Sequence, residues 1–405
     1  MPEGKLQVSV FRQTVGAPQS NAFIQVINGD TNETIDELVT DASGKTALLN
    51  VPAPPVEQSL NSENTARPYS IYNLRIESSY TSEKIITGVQ VLADTVAEQN
   101  VFLMPEEHVI QEIEIPYHTL YGEFPPKIPE DEVKPLPPAT GGVVLSRPVI
   151  PEFIIVHDGV PTDSGAPNYY VPFKDYIKNV ASCEIYPTWP ADSLKANVLA
   201  ILSFTLNRVY TEWYRNRGYN FTVTNSTAYD QAFTYGRNIF SEISDIVDEI
   251  FVNFITRPDI RQPLFTQYCD GRRVTCPNWL SQWGSMYLAD QGYDYMQILK
   301  NYYGYDIYLE QAVMVEGVPS SFPGTNLSVG SVGSDVRIIQ EQLNAISQNY
   351  PLIPKVAVDG VFGNATAQAV STFQSIFSLP ANGIVDYPTW YEISRIYVAV
   401  LQLAF

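Results

Sequence analysis

Between Pro116 and Pro151 prolines recur so often that neither a helix nor an interior strand can pass through. Proline lacks the amide hydrogen and fixes φ at about −65°, so Pro125-Pro126 and Pro137-Pro138 exclude regular structure. The acids Glu123, Glu130, Asp131 and Glu132 share the stretch. Residues 106–152 therefore read as an extended, exposed linker of the kind proteases cut, with Ala139-Thr140-Gly141-Gly142 as its most flexible point. The chain must fold as units on either side of this break. Its 405 residues predict two or three domains.

Hydrophobic residues make up 45% and aromatic residues 12% of the chain, enough for packed cores. The formal net charge of −20 argues against nucleic acid as a partner, because phosphates demand clustered Lys and Arg. It does not exclude a polyanionic wall polymer, whose sugars can be held by rings and hydrogen bonds, and the 26 tyrosines suit that. Three cysteines make no disulfide framework. Cys269 and Cys276 could pair or could ligate a metal, but no second Cys pair or His cluster stands beside them, so no metal and no other cofactor is expected. The opening MPEGKLQVSVFRQT holds no apolar signal region, and the roughly eighteen consecutive apolar residues of a membrane helix occur nowhere. The expectation is a soluble protein with no standard secretion signal and no membrane insertion.

Residues 1–105 read as strands. Leu6, Val8 and Val10 alternate with polar neighbours; Phe23, Ile24 and Val26, then Ile71, Leu74 and Ile76, follow less cleanly. A turn at Thr40–Lys45 precedes a strand at Thr46–Val51, and Lys84–Val91 and Asn100–Met104 come later. The pattern resembles the β-sandwich of carboxypeptidase regulatory-like (transthyretin-like) domains, which share the T-D-x-x-G turn and an ending such as Phe102-Leu103-Met104-Pro105. The resemblance implies an N-terminal all-β sandwich, with no catalytic constellation in it and a structural or inhibitory role.

Residues 153–315 are the catalytic candidate. Glu184 sits between an apolar approach (Val180, Ala181) and a turn built from Ile185, Tyr186, Pro187, Trp189 and Pro190. That setting would desolvate a carboxyl and favour the protonated form a general acid needs; taken alone, such a glutamate is ordinarily a solvated surface residue. A helix from about Asp192 to Arg215 would place Val198, Leu202, Leu206, Val209 and Trp213 on one face. A second, Arg237 to Ile255, would align Ile239, Ile243, Ile246, Ile250 and Phe254. Both stripes read as core.

Three motifs in order resemble the stage II sporulation protein D family. Glu184 with Trp189, Pro190, Leu194, Lys195, Ala196 and Asn197 is the first; Asp230 and Gln231 followed by Phe233 and Gly236 is the second. The third is Leu280-Ser281-Gln282-Trp283-Gly284-Ser285, trailed by Ala289, Gly292, Ile298, Leu299, Tyr302, Tyr303 and Ile307. The resemblance implies an α+β domain with lytic transglycosylase activity on peptidoglycan. Glu184 would be the catalytic acid, and Lys195, Tyr229, Asp230, Gln231, Arg237, Ser281 and Gln282 would contact substrate. One departure is visible: where the family carries an arginine in the helix after the glutamate, this chain has Leu202. Lys195, Arg208, Arg237 or the Arg272-Arg273 pair would have to supply that charge.

Residues 316–329 form a Gly/Ser/Pro linker, and residues 330–405 resemble the three-helix peptidoglycan-binding domain of cell-wall hydrolases. The pattern runs through Gly333, Asp335, Val336 and Leu343, then Val358-Asp359-Gly360-Val361-Phe362-Gly363. Thr366, Ala369, Val370, Phe373 and Gln374 come next, and it closes on Asn382-Gly383-Ile384-Val385-Asp386 and Thr389-Trp390. Gly360 and Gly363 would permit the tight turn, Asn364 would cap the next helix, and Val370, Phe373 and Phe377 would face inward. The whole order, sandwich, cleavable linker, transglycosylase-like domain and wall-binding domain, resembles the spore cortex-lytic enzymes of clostridia. That resemblance implies a zymogen cut by a subtilisin-like germination protease, releasing an enzyme from about Val143 onward. It also implies cortex peptidoglycan as partner and synthesis in the mother cell for deposition on the spore. Two alternatives stay open. A non-catalytic wall-binding scaffold would fit Leu202, and a plain hydrolase would need Asp192 or Asp230 as a second carboxylate.

Overall fold

The computed structural model describes residues 2–12, 17–79, 81–104, 111–135, 148–314, 326–377 and 379–401. Ala139–Gly142, Val143 and most of the expected 316–329 linker lie outside the described residues.

The alternation at the start of the chain becomes the strand Glu3–Arg12, with Leu6, Val8 and Val10 fully buried. It runs parallel to Val96–Leu103 and antiparallel to Leu49–Pro52. A second sheet has the order Thr34–Val39, Phe23–Asn28, Ser70–Ser78, Thr81–Val91 and Gln111–Glu114. Ile24, Leu74 and Val89 of this sheet share a core with Leu6 and Val8 of the first. The T-D-x-x-G turn is as expected: the Asp41 carboxylate accepts from Ser43 N and Lys45 N, and Gly44 takes φ +76°.

Two differences from the sequence expectation bear on function. The strand Gln111–Glu114 belongs to the sandwich's second sheet, so the β region extends past residue 105. The sandwich is also fused to the middle region of the chain. Ile239–Phe240 pairs antiparallel with Val96–Leu103, and the Asn238 side chain both accepts from Gln90 N and donates to Gln90 O. Gln99 Nε2 donates to Gly236 O. One contiguous apolar core therefore runs from Leu6 to Ala312.

In the middle region the strand Phe153–His157 is flanked by Asn168–Pro172 and Val223–Thr224. The helix Phe173–Glu184 leads through the proline turn into the helix Ala191–Tyr210. That second helix ends at Tyr210, not near Arg215, and it is buried all round: only Ala191, Asp192 and Lys195 escape burial. The expected single stripe fails because strands and helices pack against every side of it. The expected helix 237–255 is shorter, Ser241–Ile250. Its ends are strands, since Ile239–Phe240 pairs with the sandwich and Asn253–Thr256 pairs with Tyr308–Gln311. Tertiary pairing overrides a periodicity that Ile239 and Phe254 happen to continue.

The C-terminal helices Ser334–Asn349, Asn364–Ile376 and Tyr387–Leu401 enclose a separate core around Leu343, Phe362, Phe373 and Trp390. Two glutamines staple its two turns in the same way. Gln340 Oε1 accepts from Gly360 N and its Nε2 donates to Val361 O, while Gln374 Oε1 accepts from Gly383 N and its Nε2 donates to Ile384 O. Gly360 and Gly383 sit at φ +74° and +70°, where a side chain would be strained. Gly363 is extended instead and occupies the N-cap itself, so Asn364 is the first helical residue and makes no cap. Among the described residues no helix is long and apolar enough to cross a membrane.

Candidate active site

Glu184 is the last residue of the Phe173–Glu184 helix, not part of the turn. The turn beyond it is fixed by rings: Trp189 lies 5.0 Å from Trp283 and 6.0 Å from Tyr186, and Trp189 Nε1 donates to Ser59 O in the sandwich. Glu184 is only 4% exposed. Ala232 N donates to its Oε1 at 3.0 Å, and Gln282 Nε2 donates to its Oε2 at 3.2 Å and to its main-chain oxygen at 3.0 Å. The hydroxyls of Tyr268 and Thr119 lie 3.4 Å from Oε1 and Oε2. The Thr119 hydrogen is directed to Cys183 O at 2.8 Å. Burial and then the Glu184 charge push the Tyr268 phenol far above its ordinary range, so it stays a neutral donor. A buried carboxylate needs such partners on both oxygens, and it has them.

Of the expected substrate contacts, only Gln282 touches Glu184. Asp230 is fully buried and committed: Arg208 Nε donates to Oδ1 at 2.7 Å, while Tyr214 OH, Thr224 N and Thr224 Oγ1 all donate to Oδ2. Gln231 is also buried; it accepts from Thr205 and Tyr176 and donates to Tyr268 OH, so it orients the phenol beside Glu184. Ser281 caps the helix Gln282–Asp290 by accepting from Gly284 N. Tyr229 lines a different cavity, with Trp213 and Arg217. Lys195 pairs with Glu249 at 2.7 Å on an outer helix face. Arg237 is held by Asn238 O and Gln90 Oε1. Cys269 and Cys276 form a disulfide, and among the described residues no cluster of His, Cys, Asp and Glu could hold a metal.

Residues that sequence reasoning missed come from the proline-rich segment. It is extended, as expected, but residues 115–134 are laid down on the middle region. Ile128 N donates to Ala228 O, and Phe265 N donates to Glu132 O. Gln267 and Gln262 use their amides like strand edges: Gln267 bonds Ile128 O and Glu130 N, Gln262 bonds Lys134 O and Lys134 N. Arg208 grips Glu130 at 2.6 Å, Arg257 reaches Glu132 at 3.1 Å, and Arg273 Nη2 donates to Thr119 O. Burial works to raise the Glu130 carboxyl, but Arg208 and Lys134 outweigh it and hold it below the usual range. Lys127 lies over the Tyr268 ring at 4.5 Å and donates to Asp230 O. Burial lowers its ammonium against the pull of Glu184 and Asp230. Arg208 is thus spent on Asp230 and Glu130, and the cations that wall the Glu184 pocket are Lys127 from the strap and Arg273 from the Cys269–Cys276 loop. Only proline content marked this segment, and proline forbids regular structure without forbidding docking.

The strap follows a line of cavities. A pocket of 110 Å³ at Glu184 is walled by Thr119, Phe124, Pro125, Pro126 and Lys127 on one side and Tyr268, Arg273, Trp279 and Gln282 on the other. Thr119 and Phe124 also wall a cavity of 590 Å³ that holds Asp158, Tyr169, Asn225, Tyr235 and Arg237. Trp279 also lines a third, of 230 Å³, with Arg257 and Tyr302. Burial raises the Asp158 carboxyl above its ordinary range against its hydrogen bond with Tyr169.

Residues 332–393 match the family model of the peptidoglycan-binding domain. A comparison with curated proteins returned no match. Among solved structures, the SleB N-terminal domain aligns at 30% identity over 19% of this chain and 99% of its own, with a TM-score of 0.17. The 5-hydroxyisourate hydrolase of Klebsiella pneumoniae aligns at 19% identity over 25% of this chain and 92% of its own, TM-score 0.18. Catechol 1,2-dioxygenase of Acinetobacter radioresistens aligns at 17% over 29% and 56%, TM-score 0.17. The chain is a multidomain protein in which a β-rich N-terminal region and the region bearing Glu184 precede a helical peptidoglycan-binding domain at 332–393.

Proposed function

We propose that the protein is a peptidoglycan-cleaving enzyme, a lytic transglycosylase of the spore cortex, with Glu184 as acid and then base. The observation that carries this reading is a buried carboxylate, held on both oxygens, that walls a pocket in a chain with a peptidoglycan-binding domain. Glu184 protonates the glycosidic oxygen between N-acetylmuramic acid and N-acetylglucosamine, and the bond breaks through an oxocarbenium-like state. The resulting carboxylate takes the proton of the muramic C6 hydroxyl as that oxygen attacks C1. The product is a 1,6-anhydro end, and no water is consumed. Ala232 N and Gln282 keep the carboxylate aimed through both steps, and the neutral Tyr268 supplies a further donor.

Storage as a zymogen is supported by the strap, which walls the Glu184 pocket and places Lys127 beside it. We infer that a subtilisin-like germination protease cuts in the stretch 136–147, as in clostridial cortex-lytic enzymes of the SleC kind. Cutting there frees the C-terminal end of the strap, which stays joined to the sandwich through Gln111–Glu114, so the strap can peel from the groove without leaving the protein. Action at the spore, after synthesis in the mother cell, is part of the same proposal.

A hydrolase is the second reading. Asp230 is filled with donors and Asp192 accepts from Tyr295 N, so the carboxyl that would serve is Asp158, desolvated in the adjoining cavity. Mass spectrometry of digested cortex glycan separates the two. The lyase yields fragments lighter than hydrolytic ones by one water; reducing ends would transfer the reaction to a water activated by a second carboxylate.

A further inference from the structure

We propose that the strap lies in the glycan groove, and that the cavities on either side of Glu184 are two saccharide subsites: an aromatic wall at Tyr169 and Tyr235 on one side, and Trp279 on the other. This rests on the glycan-cutting reading above. The three cavities are contiguous through shared walls, because Thr119 and Phe124 line the first two and Trp279 lines the last two. The strap supplies one wall of each: Pro116 to Phe124 in the first, beside Glu112 to Glu114 of the sandwich, Thr119 to Lys127 in the second, Glu130 and Glu132 in the third. An extended chain that fills a groove through main-chain hydrogen bonds covers polar groups that another long, polar, unbranched occupant can take over. Gln267 and Gln262, whose amides now bond the strap, offer the donors and acceptors that acetamido and hydroxyl groups require.

The walls suit sugars. Tyr169 and Tyr235 stack at 4.4 Å with 14° between their planes, which holds both rings rigid and leaves the outer ring face of the pair for the C–H side of a pyranose. Asp158 and Asn225 line the same cavity, and their side chains can hydrogen-bond sugar hydroxyl and acetamido groups. Trp279 is half-buried and sits at the junction between Glu184 and the third cavity. A glycan bound on both sides of Glu184 would be held across the bond to be cut, which turns binding into positioning.

The test uses the full chain, nicked by limited proteolysis within 136–147 and carrying Glu184→Gln so that nothing is cut. Binding of a hexamer of N-acetylglucosamine is followed by calorimetry, with un-nicked protein giving the background from the peptidoglycan-binding domain. Trp279→Ala and Tyr235→Ala are each expected to weaken the nick-dependent binding about tenfold, and Trp279→Phe to restore it. Unchanged binding in both alanine variants, or no nick-dependent binding at all, overturns the subsites. Cutting of cortex glycan by the nicked parent is measured separately. A parent that cuts while the alanine variants bind normally leaves the enzyme reading standing without these subsites. A parent that does not cut, with ring-dependent binding, keeps the groove and removes the enzyme reading.

Discussion

The peptidoglycan-binding domain and the Glu184 site are built by opposite means. The former closes largely on itself: apart from Tyr397, which meets Tyr170 and Phe153 of the middle region, its core is its own, and each staple joins residues within a single helix-and-turn unit, Gln340 to Gly360 and Gln374 to Gly383. The latter is assembled from distant pieces. Glu184 meets Gln282, Ala232 and Tyr268, while Thr119 and Lys127 arrive from the strap and Ser59 of the sandwich fixes Trp189. A locally closed unit can be joined to another protein without loss. A composite site depends on every segment that contributes to it, so covering or uncovering one segment can control it.

The sharpest way to break this contrast is Arg208→Met. Arg208 is buried and paired with Asp230 at 2.7 Å and Glu130 at 2.6 Å, and methionine would strand a buried aspartate. A loss of about 3–5 kcal/mol is expected in the unit formed by the sandwich and the middle region. In a calorimetric scan that unit's transition should fall while the C-terminal transition stays in place. A joint shift would mean that the two regions unfold as one. Gln340→Ala is the converse, of roughly 1–3 kcal/mol, since it leaves the buried Gly360 N without its acceptor and takes one of two donors from Val361 O. Only the C-terminal transition should move.

The same contrast explains what the sequence could tell. The Asp359-Gly360 and Asn382-Gly383 turns are legible because a left-handed glycine and the residues around it act within one stretch. The T-D-x-x-G turn is legible for the same reason. Asn364 misled because glycine took the cap, and Ile239 and Phe254 misled because partners far along the chain drew them into strands. Glu184 was singled out by its motif. Its surroundings were not, because Asp230, Gln231 and Ser281 carry their motif into buried structural bonds. Lys127 has no sequence signal; it matters only because the strap folds back over Tyr268. Gly236 was marked by its motif, but the reason for it lies elsewhere in the chain: a side chain there would meet Ile113 of the sandwich strand Gln111–Glu114 at 2.7 Å.

A smaller effect sharpens the account of the strap. Burial pushes the docked Lys134 ammonium down to about 8 from an ordinary 10.5, against its pairing with Glu130. Below about pH 8 the lysine is charged in both docked and free strap, and the full burial cost is present. Between about 8 and 10.5 the free strap holds more protons than the docked one, so docking strengthens as pH rises. Denaturant melts at stepped pH should show the parent gaining stability relative to Lys134→Met across that window, several-fold in equilibrium constant. A constant gap between the two proteins would mean that Lys134 is not desolvated by docking.

The central claim is that Glu184 cuts glycan and that the strap keeps it from doing so. It is tested most directly by incubating cortex glycan with the full-length protein before and after limited proteolysis within 136–147, alongside nicked Glu184→Gln. Truncation to about residue 143 is a poorer design, because it would strip Ile239–Phe240 of its partner strand and open the shared core. The account predicts a silent intact protein, release of soluble fragments after nicking, and a loss of at least about a hundredfold in Glu184→Gln with binding to glycan retained. Equal activity before and after nicking, or a Glu184→Gln protein that cuts at the parent's rate, would contradict it.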